Sequence, residues 1–228
     1  MPDPAPNAEL LRALGRLVRG LSLLFWGLPL ALVTCVQTAK TEWLRQFGFM
    51  PPVVVTGLLL YGLWHVGQFQ KQERIWQSAL DRAKVLALVN FGLSPFLYWW
   101  NKFPYNELFL AMVMLLGGCT LIFLNHLNVV VFRLAAMLPD ETLRHEAKQF
   151  TALNRTLLLA AMLLAVAHLI LQQLAAQHAM AGVALVLLDR LSFWLVIPFV
   201  LLPLAMTMAL LWKTKEVILD SVFGAGGN

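Results

Sequence analysis

Long runs of apolar residues that contain no Asp, Glu, Lys or Arg dominate the chain, and short polar or charged connectors separate them. The runs cover residues 20–39, 46–70, 85–101, 108–132, 156–188 and 191–212. A bilayer core about 30 Å thick needs roughly 20 apolar residues per helix. We therefore predict six transmembrane helices, which span about 20–39, 50–69, 84–100, 108–132, 156–176 and 190–212.

The apolar runs are typical of helices rather than of membrane β-strands. Strands of a membrane barrel alternate over about ten residues, whereas Leu157–Leu164 and Val196–Leu202 do not alternate. The fifth run is too long for one span, so residues 177–188 are predicted to form an outer turn. The predicted fold class is all-α, a polytopic integral membrane protein built as a six-transmembrane-helix bundle.

Three similar tetrapeptides precede the first, third and fifth predicted spans. They are Ala13–Arg16, Ala79–Arg82 and Ala152–Arg155. This spacing suggests three stacked helical hairpins from an ancestral duplication. Chance recurrence of Ala, Leu and Arg at helix starts in a Leu-rich chain is the alternative.

Composition and charge fit a membrane protein and explain the excess of positive charge. Hydrophobic residues make up 60% of the chain and charged residues 13%, against about 25% charged in soluble domains. With the N-terminus inside, thirteen of the seventeen Lys and Arg fall on the inner side, as the positive-inside rule requires. We expect an N-in/C-in topology with cytoplasmic segments 1–19 and 213–228 around a transmembrane domain 20–212.

This topology accounts for the net charge of +5 without a nucleic-acid partner. No removable targeting segment is recognised at the N-terminus, so a bacterial-type inner (plasma) membrane is the expected location. The two cysteines, Cys35 and Cys119, lie inside apolar runs and predict no disulfide framework.

The longer inner connectors and the small residues point to contacts with lipid or with other helices. Residues 70–84 and 138–155 are predicted to be amphipathic helices that continue into spans three and five, where they lie on the inner leaflet or dock a partner. Small residues permit close helix packing in lipid. The predicted close-contact points are Gly57, Gly62, Gly67, Gly117, Gly118, Ala161 and Ala165. Pro198 and Pro203 make the sixth span the candidate for a bent helix.

Polar side chains within the predicted spans are the candidate functional residues, because buried polar groups in lipid are costly. Counting 1.5 Å per residue from the nearest inner basic residue places His65, Asn90 and His126 about 9–11 Å above the inner boundary. The full polar intramembrane layer comprises His65, Asn90, Asn125, His126, Asn128 and Thr207.

Three interpretations of this layer remain open. The residues could form interhelical hydrogen bonds that fix packing, they could line a binding site or a conduction path, or His65 and His126 could bind a haem iron from both faces. No Asp, Glu or Cys lies at this depth, so we expect no closed metal site. At the outer mouth, Asp189 and Arg190 are adjacent on a helix and do not face each other, so each needs a partner elsewhere, such as Glu107 or Lys102, or water.

Motifs of enzymes and of proton-driven carriers are missing from the sequence. There is no phosphate-binding glycine loop, no Gly-x-Ser-x-Gly and no His-Glu-x-x-His, and no acidic residue is deep in a span. We predict a non-enzymatic subunit or scaffold of a membrane complex, in contact with the lipid bilayer and with a homo- or hetero-oligomeric partner. A small channel or transport protein is the alternative, and a haem-carrying electron-transfer subunit is the weaker one; otherwise no cofactor is expected.

Overall fold

The computed structural model describes residues 5–41, 43–69, 73–138, 140–175 and 179–223. The described residues are almost all helical, which confirms the all-α class. The helices are α1 (Ala5–Lys40), α2 (Met50–Val66), α3 (Arg74–Leu93), α4 (Phe96–Lys102), α5 (Glu107–Met137), α6 (Glu141–Ala175), α7 (Ala179–Val196) and α8 (Leu202–Phe223). A single 3₁₀ turn (Arg45–Phe47) precedes α2, and a π-helical segment (Ile197–Leu201) joins α7 to α8.

Three of these helices are long and apolar enough to cross a membrane. They are α1 from Leu11 onwards, α5 and α6, and the apolar α2 is shorter. With 35 residues, α6 is about 52 Å long, which exceeds the hydrocarbon core, so part of it extends beyond the apolar layer. The structure thus supports a helical membrane protein through three candidate spans.

Local sequence explains where most helices begin and end. Pro51 and Pro52 occupy the first turn of α2, where a missing N–H costs nothing. Asn106 caps α5 by accepting a hydrogen bond from the Leu108 amide (3.0 Å). Pro95 has no N–H to donate to the preceding turn, and α3 ends at Leu93 although Ser94 keeps helical dihedral angles (φ −58°, ψ −33°).

Two predicted boundaries differ from the structure. The predicted third span 84–100 is not one helix, because Ser94 and Pro95 separate α3 from α4. The predicted outer turn 177–188 is wrong for its described part, since α7 is helical from Ala179; residues 177 and 178 lie outside the described residues. Ala, Val and Leu dominate this stretch, and Gly182 alone does not break a helix.

The predicted amphipathic segments continue into the apolar helices, as expected. Helix α3 starts at Arg74 and α6 starts at Glu141, so each inner connector and the following span share one helix. In α3, the buried side chains of Trp76, Ala79 and Leu80 face the core while Arg74 and Asp81 are exposed. This amphipathic face explains why the polar start of α3 packs on the bundle.

Helices α1 and α2 pack against each other along most of their length. Their buried stripes repeat every three or four residues, at Leu17, Leu21, Leu24, Leu28 and Ala31 in α1 and at Val55, Leu59, Leu63 and Val66 in α2. The helices touch at Gly20 and Gly62: a β-carbon on Gly20 would lie 2.8 Å from the Gly62 carbonyl oxygen. Glycine is required there because any side chain would separate the two backbones.

Helices α5, α6, α7 and α8 form a second group. Helix α8 packs against α1, α5 and α6, and α3 packs against both α2 and α5. In α6 the buried side chains are Leu143, Ala147, Asn154 and Leu158, all in its first half. The second half of α6 and the described side chains of α7 are half-buried or exposed, so the core of this group lies at one end of the bundle.

The glycine predictions were right in part. Gly62 and Gly67 are buried at close contacts, and a β-carbon at Gly57 would lie 3.3 Å from the Phe91 ring. Gly117 and Gly118 make no close contact within the described residues, because a β-carbon there would meet no described atom within 4 Å. These two glycines lie on a face of α5 that the other described helices leave uncovered.

Candidate functional site

A buried polar cluster joins α5, α6 and α8 at the centre of the second group. Asn128 Nδ2 donates to Thr207 Oγ1 (3.0 Å) and to the Leu124 carbonyl (2.8 Å). Asn154 Nδ2 donates to Thr207 Oγ1 (3.0 Å) and to the Pro203 carbonyl (3.2 Å). Asn128 is 2% exposed, and Asn154 and Thr207 are fully buried.

The geometry of this polar cluster is suited to holding helices together. Thr207 Oγ1 also lies 2.7 Å from the Pro203 carbonyl, so one hydroxyl interacts with two asparagines and with its own helix. Hydrogen bonds between membrane helices contribute about 0.6 kcal/mol each. Within the described residues, Asn154 Oδ1 is the one atom of the three side chains that is buried without a hydrogen-bond partner.

Sequence reasoning placed Asn128 and Thr207 in one layer but missed Asn154. Arg155 follows Asn154 directly and marks the predicted inner end of the fifth span, so the sequence predicts that Asn154 belongs to the connector. In the structure α6 is continuous through this point, and the exposed Arg155 points away while Asn154 faces the core. The available signal was periodicity: Leu143, Ala147, Asn154 and Leu158 are spaced by four or seven residues.

His126 lies elsewhere, in an open groove of about 740 Å³ between α3 and α5. It is half-buried, and Arg82 interacts with it electrostatically. The groove is lined by Arg74, Gln77, Ser78, Asp81, Arg82, Val85 and Leu86 of α3 and by Ile122 and His126 of α5. It opens to the outside of the bundle rather than leading through it.

His65 and Asn90 lie on the facing helices α2 and α3, but at different heights. Gly57 faces Phe91 and Gly67 faces Leu80, so in this register Asn90 lies near the level of Gly57. That is about two helical turns from His65. The two residues therefore do not lie at the equal depth that the sequence predicts. The predicted depth of Asn90 is counted from Lys84, and Lys84 lies beside the end of α2, at Gly67, rather than beyond it.

Both residues keep a buried polar atom without a hydrogen-bond partner among the described residues: His65 Nδ1 and Asn90 Oδ1. The His65 ring packs edge-to-face on Tyr61, with ring centroids 4.5 Å apart. Since His65 meets Tyr61 and His126 lines the groove, the two imidazoles have different surroundings.

The other predicted site residues lie apart from these places. Asn125 is half-buried on α5, Glu107 is exposed in the first turn of α5, and Arg190 is exposed on α7. The side chain of Asp189 lies outside the described part of the structure. The predicted set is therefore divided between the polar cluster, the groove, the α2–α3 contact and the surface.

Charged residues lie at the end of the second group where α6 begins. Lys213 of α8 forms an ion pair with Glu146 of α6. Asp140 caps α6, accepting hydrogen bonds from the Thr142 hydroxyl (2.7 Å) and amide (2.8 Å) and from the Leu143 amide (3.2 Å). The Thr142 and Leu143 hydrogen bonds, with the charge of Lys213, lower the pKa of the Asp140 carboxyl below its ordinary value.

The described residues contain no group of three or more His, Cys, Asp or Glu side chains placed to hold a metal ion. The two cysteines are not bonded to each other. No family model, curated protein or solved structure matches the chain.

Proposed function

We propose that this chain is a six-span membrane protein that serves as a non-enzymatic subunit or scaffold of a membrane complex. In this topology α1, α2, α5 and α6 each provide one span, α3 with α4 provides the third, and α7 with α8 provides the last. Both termini lie in the cytoplasm, as the distribution of Lys and Arg favours.

The observation that carries this proposal is the uncovered face of α5 at Gly117 and Gly118. Elsewhere in the chain, Gly20 and Gly62 sit at a tight helix contact, whereas a β-carbon at either α5 glycine would meet no described atom within 4 Å. Paired small residues let another helix approach closely in lipid. The face is placed to receive a helix of a partner or of a second copy.

The polar cluster supports a structural role for the interior. Asn128, Asn154 and Thr207 bond to one another across three helices instead of lining a passage. The large groove beside His126 opens laterally. These features suit a protein that acts by binding other membrane proteins through its outer surface.

Substitution of Gly117 by leucine tests the proposal directly. Because the described residues leave space there, Gly117→Leu should preserve the unfolding temperature of the isolated chain but abolish its association. Single-molecule photobleaching of tagged chains in native-membrane nanodiscs counts copies, and affinity purification from the same nanodiscs identifies bound partners. A lone wild-type chain without a partner, or an unchanged complex with Gly117→Leu, would contradict the proposal.

A small channel or transport protein is the second candidate, favoured by the unpartnered atoms His65 Nδ1 and Asn90 Oδ1. Buried polar atoms without protein partners commonly bind water, which a polar path would supply. Flux into liposomes should then be measurable for the wild type and should change in Asn90→Ala. The haem hypothesis for His65 and His126 requires a Soret band in the visible spectrum of the purified protein.

A further inference from the structure

The groove between α3 and α5 changes from charged to apolar along its length. On α3, the lining residues Arg74, Ser78, Arg82 and Val85 follow one face at intervals of three or four residues. Helix α5 is antiparallel and places His126 near Arg82, with Ile122 one turn further into the apolar part. One end of the groove is therefore cationic and the other is apolar.

The charges in the polar end favour an anion. Asp81 is the one carboxylate among the lining residues, and the ammonium group of Lys84, 3.4 Å away, offsets its charge. Within the described residues, neither Arg74 nor Arg82 forms a salt bridge. Arg74 and Arg82, whose backbone positions are about 12 Å apart along α3, thus line the groove with two guanidinium groups, and guanidinium suits phosphate oxygens.

The apolar end suits a hydrocarbon chain. Val85 is exposed to the extent of 60%, and with Leu86 and Ile122 it continues the groove away from the arginines. An occupant that satisfies both ends carries a negative headgroup and an acyl chain. Basic pockets between membrane helices bind anionic lipid headgroups in this way.

We infer that the groove is a binding site for an anionic glycerophospholipid. Its phosphate lies between Arg74 and Arg82, with Gln77, Ser78 and His126 as further polar contacts. One acyl chain runs along Val85, Leu86 and Ile122. The site stands independently of the subunit proposal, because it requires insertion in a membrane but no protein partner.

Native mass spectrometry in detergent tests the headgroup end. Dioleoyl phosphatidylglycerol and dioleoyl phosphatidylcholine share their acyl chains and differ in charge, so the wild type should bind the first phosphatidylglycerol molecule more tightly. Arg74→Gln/Arg82→Gln should lose about fivefold in affinity for each arginine. Arg19→Gln/Arg155→Gln is the matched control, because it removes the same charge from two exposed arginines outside the groove and should keep the preference.

Free glycerol phosphate distinguishes a lipid site from a site for a soluble anion. It should bind far more weakly than the lipid, since it lacks the acyl chain. Equal binding of the two lipids, an equal loss in the control variant, or glycerol phosphate binding as tight as that of the lipid would each overturn the proposal.

Photo-crosslinking tests the acyl end with the wild-type chain alone, and remains decisive if the arginine variant fails to fold. A phosphatidylglycerol with a diazirine on its acyl chain should label peptides that contain Val85–Leu86 and Ile122. Excess unlabelled phosphatidylglycerol should suppress this labelling and phosphatidylcholine should not. Labelling spread evenly over the exposed apolar faces of α5 and α6 would contradict a defined site.

Discussion

The hairpin α1–α2 and the hairpin formed by α6 with α7–α8 are both apolar, yet they are packed differently. In α1, buried side chains extend from Leu17 to Thr38. In α6, the last buried side chain is Leu158, and every residue from Leu159 to Ala175 is half-buried or exposed. Apolar composition alone does not make two membrane helices adhere.

The difference follows from the residues at the contact. Lipid is as apolar as leucine, so helices associate through close backbone approach and interhelical hydrogen bonds. The backbones of helices α1 and α2 approach each other closely at Gly20 and Gly62. Helices α6 and α8 have the hydrogen bonds, between Asn154 and Thr207 and in the ion pair of Glu146 with Lys213.

The largest expected effect comes from filling the glycine contact. A leucine at Gly20 would place its β-carbon 2.8 Å from the Gly62 carbonyl oxygen and the Val66 nitrogen, so α1 and α2 must separate. Gly20→Leu should destabilise the protein by about 3 kcal/mol. SDS titration of helicity by circular dichroism measures this.

Gly15→Leu is the control for Gly20→Leu, because a β-carbon at Gly15 would meet no described atom within 4 Å. It should leave the SDS midpoint unchanged or raise it slightly, since leucine favours a helix over glycine. Equal midpoints for the two variants would refute the glycine contact.

A smaller effect is expected from the polar cluster that joins the second hairpin to α5. Asn128→Ala removes the donor to Thr207 and should cost about 1–2 kcal/mol. A double-mutant cycle with Thr207→Ala should give a coupling of about 0.6 kcal/mol. Asn125→Ala, at a half-buried residue of the same helix, should cost less; a larger loss there would mean that the cluster is not the main contact.

The ion pair between Glu146 and Lys213 should contribute less still. Both side chains are 40% exposed, so water and salt screen the pair. Glu146→Gln should cost about 0.5 kcal/mol, and 0.5 M salt should remove most of the difference from the wild type. A loss that persists at high salt would show that Glu146 acts through packing.

The smallest expected effect is local and depends on pH. The pKa of Asp140 is lowered in the folded protein, so its cap stabilises α6 above the ordinary carboxyl pKa and is lost as pH falls through the lowered value. Hydrogen exchange of the Thr142 and Leu143 amides, corrected for intrinsic rates, should speed up severalfold in that range. Asp140→Asn should abolish the pH dependence; the same acceleration in this variant would exclude the carboxyl as its source.

Much of the fold is predictable from the sequence, because membrane helices are set by length and polarity. The starts of α3 and α6 inside the inner connectors followed from the pattern of acidic, basic and apolar residues. The break at Ser94–Pro95 was missed because the uncharged run continues to residue 101. Hydropathy therefore locates apolar segments better than it locates interruptions within them.

The candidate site was harder to predict, because it depends on which faces meet. Asn128 and Thr207 were assigned to the same depth, and they do bond, yet Asn154 was excluded by its charged neighbour Arg155. Gly117 and Gly118 look like a packing motif but lie uncovered, while Gly20 was overlooked at the end of a span. Rotation of each helix about its axis, which a depth estimate ignores, decides these contacts.

The π-helical segment Ile197–Leu201 sets the phase between the two halves of the last helix. A π-turn holds one residue more than an α-turn. The side chains of α7 are therefore rotated by about 100° about the helix axis from the positions that they would have if α8 continued backwards as a regular α-helix. Deleting one residue there would turn the α7 surface around its axis while Thr207 keeps its bonds. The π-helical segment therefore determines which side chains of α7 face the neighbouring helices and which face outwards, independently of the contacts that hold α8.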